Sequence, residues 1–138
     1  MTKYNNKITI VDGIKFHSKL EANCYILLRN SKLDFTRQPV MLLQEKFTTD
    51  KLHLKNQLGI VKKVNISAIK YIGDFLLSYN DITYIVEAKG VETALYKVKE
   101  KIALKLLTES DEKYIFVKII SIAEMSLFIY QLLKTIDN

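Results

Sequence analysis

Apolar and polar positions divide the chain into short extended runs and three longer stretches with helical spacing. Lys7 to Val11 and Ile14 to Phe16 flank Asp12-Gly13, a dipeptide that accepts the positive φ angles of a two-residue turn, so an N-terminal hairpin is expected. From Leu20 the period changes. Leu20, Cys24, Leu27 and Leu28 fall on one helical face, and Ser18 with Glu21 three residues on forms a capping box, which predicts a first helix to about Asn30. Asp34 to Phe47 reads as extended, broken at Gln38-Pro39 because proline has no N–H for a strand ladder. Thr48 to Ser67 has no clean period. Lys51, Lys55, Lys62 and Lys63 mix there with Leu, Ile and Val around Gly59. It reads as an excursion from the main sheet, a hairpin that is either a solvated loop or an arm that touches DNA or a partner.

Ala68 to Tyr79 and Ile82 to Lys89 are predicted as two strands joined at Asn80-Asp81, which again tolerate positive φ. Phe75, Leu77, Tyr84 and Val86 lie on one face and Leu76 and Ile85 on the other, so both faces are covered and the strands are central. Gly90 ends the second of them. A helix from about Thr93 to Glu109 follows, with Leu95, Val98, Ile102 and Leu106 as its packing face and Lys97, Lys101 and Lys105 in a row on another. Tyr114 to Ile120 forms a strand that returns to the same sheet through a right-handed crossover. Ser121 to Glu124 repeats the capping-box pattern, and Met125, Phe128, Leu132 and Ile136 give the last helix a packing face, for structure or for a dimer. The expected fold is α/β with a mixed sheet (α+β): helix, three-strand antiparallel meander, helix and strand, plus the N-terminal hairpin and C-terminal helix, in one domain.

Composition narrows the function classes. The 138 residues suffice for one core, and with 49% apolar and 26% charged residues and no 18-residue apolar run or signal-peptide pattern, a soluble cytoplasmic protein without membrane association is expected. A single Cys24 precludes an internal disulfide and thiolate zinc sites, and His17 and His53 are too few for a histidine cage. The net charge of +6 favours an anionic partner such as nucleic acid. Only Arg29 and Arg37 among the 21 basic residues are arginines. Lysine meets phosphate as a point charge and seldom reads guanine edges bidentately, so contact with the nucleic-acid backbone is expected to dominate.

The candidate chemistry sits on the two central strands. Pairing across Asn80-Asp81 sets Tyr79 opposite Ile82 and therefore Asp74 opposite Glu87. Opposed side chains lie roughly 5 Å apart, where like charges repel, so a cation is expected between them. Lys89 points to the same face two residues beyond Glu87. Two carboxylates and a lysine suit a divalent-metal site. Glu21 carries two readings, closing its own helix start or joining those carboxylates. The row Lys97, Lys101 and Lys105 also carries two, a wet helix face or a phosphate track that begins near Lys89, with Lys97 nearest the metal.

An acid on the first helix, an Asp on the second strand and Glu-x-Lys on the third resemble the PD-(D/E)XK nuclease superfamily. The run Val-Asp-Gly-Ile-Lys-Phe-His-Ser-Lys-Leu-Glu-Ala at 11 to 22, Gln38-Pro39, Tyr-Ile-Gly-Asp-Phe at 71 to 75, Glu-Ala-Lys-Gly at 87 to 90 and Thr93 through Lys99 are similar to a phage-associated family within it, related to phage junction-resolving endonucleases and to the nuclease subunit of some transposases. These blocks occur in order over about residues 11 to 99. The chain departs at Gly73, where the superfamily name has proline, and at Thr48 to Ser67, which is longer than the family's usual connection.

The resemblance implies a restriction-endonuclease-like core in which Asp74 and Glu87 bind Mg²⁺ or Mn²⁺, Glu21 completes the site or holds a second ion, and Lys89 orients or helps deprotonate the attacking water. The implied reaction is metal-dependent hydrolysis of DNA phosphodiesters, leaving 5′-phosphate ends, on Holliday junctions or other branched DNA in a bacterial host cell, by a phage- or mobile-element-encoded protein; symmetric cutting of both strands calls for a homodimer. Lys97, Lys99, Lys101 and Lys105 would contact the DNA, and the N-terminal hairpin, the Thr48 to Ser67 excursion and the last helix are candidate dimer interfaces. A sequence-specific homing or restriction-like nuclease and a non-catalytic basic nucleic-acid-binding module are the alternatives. The module leaves unexplained why two acids and a lysine converge on apolar strands, where unpaired charge is costly.

Overall fold

A computed structural model describes residues 7–52 and 63–134. β1 (Thr9–Val11) and β2 (Ile14–Phe16) form the N-terminal hairpin, with Asp12 and Gly13 at φ 54° and 76° as the turn demands. α1 (Lys19–Ser31) starts at Ser18, whose Oγ accepts the Glu21 N–H at 3.1 Å, and stops where Lys32 turns left-handed at φ 64°. Then come β3 (Phe35–Arg37), β4 (Val40–Gln44), β5 (Phe47–Thr49), β6 (Val64–Ile66), β7 (Ile69–Ile72), β8 (Phe75–Tyr79), β9 (Ile82–Ala88), α2 (Ala94–Glu109), β10 (Tyr114–Ile119) and α3 (Ile122–Lys134).

The main sheet has the order β10-β9-β8-β3, antiparallel except for the parallel pair β9 and β10 that flanks the α2 crossover. β8 and β9 take the expected register, Tyr79 to Ile82 through Phe75 to Val86, with Asn80 and Asp81 at φ 51° and 64°. Each strand face finds its own core. Phe75, Leu77, Tyr84 and Val86 pack with Cys24 and Leu28 of α1 and with Met125, Ile129 and Leu132 of α3. Ile85 and Leu76, on the opposite face, pack with Tyr71 and Tyr96. Full burial of such side chains contributes about 1.5–3 kcal/mol apiece, so the two central strands anchor both layers.

The run Ala68 to Tyr79, expected as one strand, is two. β7 pairs with β4 while β8 pairs with β3 and β9, and the break falls at Gly73-Asp74. Its cause lies across the sheet. Pro39 has no N–H, and Gln38 stands at φ 53°, so the β3 to β4 strand bends there and its neighbour bends with it. Two bonds carry the pairing across the bend: the Gln38 N–H donates to the Asp74 carbonyl and the Gly73 N–H to the Pro39 carbonyl, both at 2.9 Å. Proline at 73 would lack that donor, and even a Cβ there would lie 3.1 Å from Pro39 Cγ and 3.2 Å from Ile85 Cγ2. Glycine fits the bend without displacing Pro39 or Ile85.

The α2 packing face also differs from the expected one. Tyr96 and Ala103 are buried, whereas Leu95, Val98, Ile102 and Leu106 are 64%, 55%, 37% and 38% exposed. The two faces lie about 100° apart on the helix, one residue step. Tyr96 fills the cluster around Tyr71 and Ile85, and Ala103 leaves room for close approach. Fit to the sheet outweighs the count of aliphatic side chains.

α3 buries Met125, Ile129 and Leu132, with the Phe128 ring edge-on to Tyr84 at 5.5 Å; Ile136 lies outside the described residues. The Thr48 to Ser67 excursion is a hairpin at its base, where β5 pairs antiparallel with β6, and Lys55 and Lys62 lie outside the described residues. Among the described residues no helix is long and apolar enough to cross a membrane.

Candidate active site

The bend at Gly73-Asp74 sets up the site. Regular pairing of β8 with β9 ends at Phe75 and Val86; beyond it the Asp74 N–H donates to the Val86 carbonyl at 3.1 Å, while the Asp74 carbonyl is already taken by Gln38. Asp74 is therefore not a ladder partner of Glu87, as direct opposition would require. Its carboxylate turns over the end of β9, where Oδ2 accepts the Ala88 N–H at 2.7 Å. Glu87, only 5% exposed, lies within β9 and accepts the Tyr71 hydroxyl on Oε2 at 2.5 Å.

Glu21, Asp74, Glu87 and Lys89 nonetheless line one cleft of about 330 Å³, together with His17 and Ser18. The capping box at α1 is half formed. Ser18 caps the Glu21 N–H, while the Glu21 carboxylate reaches toward the cleft and Arg37, with Oε1 3.9 Å from Nη2. The Glu21 side chain thus lies with the other carboxylates in the cleft, and the helix start is closed by Ser18.

The three carboxyls raise one another's proton affinity. Burial, followed by the charge of Glu21, pushes Asp74 up to about 7 against the Ala88 N–H, Lys89 and Arg37. Burial, followed by Asp74, pushes Glu87 up to about 7 against the Tyr71 hydrogen bond and Lys89. Glu21 is also raised, by burial first, with Arg37 opposing and Glu87 adding. The positive charge expected between the carboxylates is not supplied by Lys89. Among the described residues Lys89 forms no ion pair with Asp74 or Glu87, and its Nζ lies over the Tyr96 ring, 4.7 Å from the centroid.

Hard carboxylate oxygens are the donors that Mg²⁺ and Mn²⁺ select. No three His, Cys, Asp or Glu side chains among the described residues close into a metal cage. Magnesium does not require one, since it is commonly held through one or two carboxylates plus waters and substrate phosphates. Half-buried Asp74 and buried Glu87, neither in an ion pair among the described residues, fit that mode at the wall of a cleft that Glu21 also lines.

Several residues near this cleft escape a reading by motif. Arg37, with its guanidinium 4.6 Å above the Phe16 ring, is the cation beside Glu21; its buried Nε has no partner among the described residues. Its signal was its place on an alternating strand before Gln38-Pro39. Tyr71, inside the Tyr-Ile-Gly-Asp-Phe block, holds Glu87. Lys118 of β10 bonds Glu92 and lies 3.1 Å from Glu100 Oε2, so its charge is internally matched. Of the α2 lysines, Lys97, Lys101 and Lys105 are exposed, Lys105 3.8 Å from Glu109. Lys99 lines an adjoining cleft of about 270 Å³ with Glu87 and Lys89.

A family model described as "Protein of unknown function (DUF1064)" matches residues 1–123. No curated protein and no solved structure matches the chain.

Proposed function

We propose that this chain, which belongs to the DUF1064 family, is a Mg²⁺- or Mn²⁺-dependent DNA endonuclease that hydrolyses phosphodiester bonds in branched DNA such as a four-way junction. The observation that carries the reading is the convergence of Glu21, Asp74, Glu87 and Lys89 on one cleft at the bend of the central strands. A buried and a half-buried carboxylate with no ion-pair partner among the described residues are costly in a fold that could have used apolar residues there, unless a ligand brings the charge.

Asp74 and Glu87 would hold the ion, with Glu21 as the third carboxylate. When bound, such an ion supplies Lewis acidity toward the phosphodiester. The chain's own residues do the rest. The Ala88 N–H fixes Asp74 through Oδ2 and the Tyr71 hydroxyl fixes Glu87 through Oε2, and both residues line the cleft. Lys89, an ammonium at the rim, would orient the attacking water and stabilise negative charge growing on phosphorus oxygens. Lys99 and Lys70, which line a cleft with Glu87 and Lys89, would receive the flanking phosphate, and the exposed Lys97, Lys101 and Lys105 would follow the backbone away from it.

Symmetric cutting of a junction calls for two sites, and a homodimer supplies them. The exposed α2 stripe is the surface for a second copy. About a two-fold axis the exposed Leu95, Val98, Ile102 and Leu106 of one copy would cover the same side chains of the other. Its few side chains offer well under the ~800 Å² per partner of a standard interface, so the pair would be weak and strengthened by shared DNA. A phage- or mobile-element-encoded enzyme acting in the bacterial cytoplasm fits this activity. The testing experiment is Mg²⁺-dependent cleavage of a four-way junction beside a matched linear duplex, by the wild type and Asp74→Asn.

A further inference from the structure

Glu87 and Lys89 are long side chains, and a reacting group displaced by about 1 Å can lose on the order of 10²-fold in rate. Something must hold both. Two tyrosines from elements without a catalytic residue do so: Tyr71 of β7, 3% exposed, donates its hydroxyl to Glu87 Oε2, and Tyr96 of α2, 6% exposed, presents its ring face to the Lys89 ammonium. The two rings pack on each other with centroids 6.4 Å apart, and Phe116 backs Tyr71 at 5.8 Å. They are part of the small core cluster with Ile85, so neither ring is free to wander.

The geometry points to Tyr71 and Tyr96 as a pair of positioning residues, Tyr71 working through its hydroxyl to fix Glu87 and Tyr96 working through its ring face to fix Lys89. Its kinetic consequence rests on the nuclease reading; the contacts themselves do not. The two roles make opposite demands on the same chemical change. Removing the Tyr71 hydroxyl deletes the Glu87 bond and leaves the packing. Removing the Tyr96 hydroxyl deletes nothing that Lys89 uses, since the ring remains and that oxygen, near Glu100, has no well-formed hydrogen bond among the described residues. Two tyrosines that only fill the core would tolerate phenylalanine equally.

The test uses the full chain as Tyr71→Phe, Tyr96→Phe and Tyr96→Leu, with thermal melts to verify folding. On a four-way junction with Mg²⁺, Tyr71→Phe is expected to lower kcat roughly tenfold or more with KM little changed, as removal of a hydrogen bond to a charged group does. Tyr96→Phe should stay within about twofold of wild type and Tyr96→Leu fall several-fold, as expected when the aromatic face beneath an ammonium is removed. Carbon-detected NMR gives a readout independent of activity. Tyr71→Phe should shift the Glu87 carboxyl resonance and leave the Lys89 ε-methylene, whereas Tyr96→Leu should abolish the ring-current shift of the Lys89 ε-methylene that Tyr96→Phe keeps. Equal behaviour of the two phenylalanine variants in both assays, or a Lys89 resonance indifferent to Tyr96→Leu, overturns the assignment. A wild type that cleaves no DNA while the NMR pattern appears would sink the nuclease reading and leave the positioning pair standing.

Discussion

Replacing Asp74 by asparagine should stabilise the metal-free protein at pH 8. Asparagine keeps an oxygen for the Ala88 N–H and removes the charge that burial and Glu21 disfavour. Lifting the carboxyl from its ordinary 3.8 to about 7 costs the ionised folded state on the order of 4 kcal/mol, at about 1.4 kcal/mol per tenfold. Part of this is shared with Glu21 and Glu87, and the cleft is partly wet, so a gain of about 2 kcal/mol is expected. In melting temperature that is about 5–10 °C. The folded wild type binds more protons than the unfolded chain between about pH 4 and pH 7, so its stability should fall as pH rises through that window and level off above it. Glu87 and Glu21 act in the same direction. Asp12 and Glu92, held below their ordinary values, act oppositely, in acid below that window. Urea unfolding from pH 5 to 8.5, with and without millimolar Mg²⁺, measures all of this. Mg²⁺ should restore the wild type at pH 8 and leave Asp74→Asn unmoved. A wild-type stability that is flat or rising from pH 5 to 7.5, or no gain from Asp74→Asn, would refute the electrostatic account of the cleft.

Three further outcomes are expected. Alanine at Lys97, Lys101 or Lys105 should lower the slope of log affinity against log salt by roughly 0.9 for each phosphate no longer neutralised, in Ca²⁺ to block hydrolysis, while Lys99→Ala should also slow cleavage because it lines the cleft beside Glu87. Val98→Glu on the exposed α2 stripe should shift sedimentation of the junction-bound protein from two copies to one while changing stability by no more than about 0.5 kcal/mol. Glu21→Gln should keep the α1 start, which Ser18 caps through the backbone, and reduce Mg²⁺-dependent cleavage at least tenfold; full activity would confine Glu21 to its helix.

The central hairpin was legible because strand and turn signals coincided: Asn80-Asp81 demanded a tight turn, and the flanking residues alternated into two different cores. Caps were legible at Ser18 and Ser121 for a similar reason, a local side chain bonding a local N–H. What could not be read required two distant segments at once. The bend that turns Asp74 out of the ladder depends on Pro39 and Gln38, more than thirty residues away, and only their bonds to Gly73 and Asp74 explain the glycine. Aliphatic periodicity pointed to the wrong face of α2 because tyrosine and alanine won by shape where leucine and valine won by count. Arg37 and Tyr71 entered the site from strands whose pattern showed only alternation.

The central claim is that the cleft of Glu21, Asp74, Glu87 and Lys89 cuts DNA with a divalent ion. The most direct measurement incubates the purified full chain with a radiolabelled four-way junction and the matched linear duplex, with Mg²⁺ or with chelator, beside Asp74→Asn and Lys89→Ala. The predicted result is cleavage of the junction in preference to the duplex, 5′-phosphate ends, dependence on Mg²⁺, and loss of cleavage in both variants with DNA binding in Ca²⁺ preserved. Junction binding without cleavage by the wild type at any Mg²⁺ or Mn²⁺ concentration, or equal cleavage by Asp74→Asn, would contradict it.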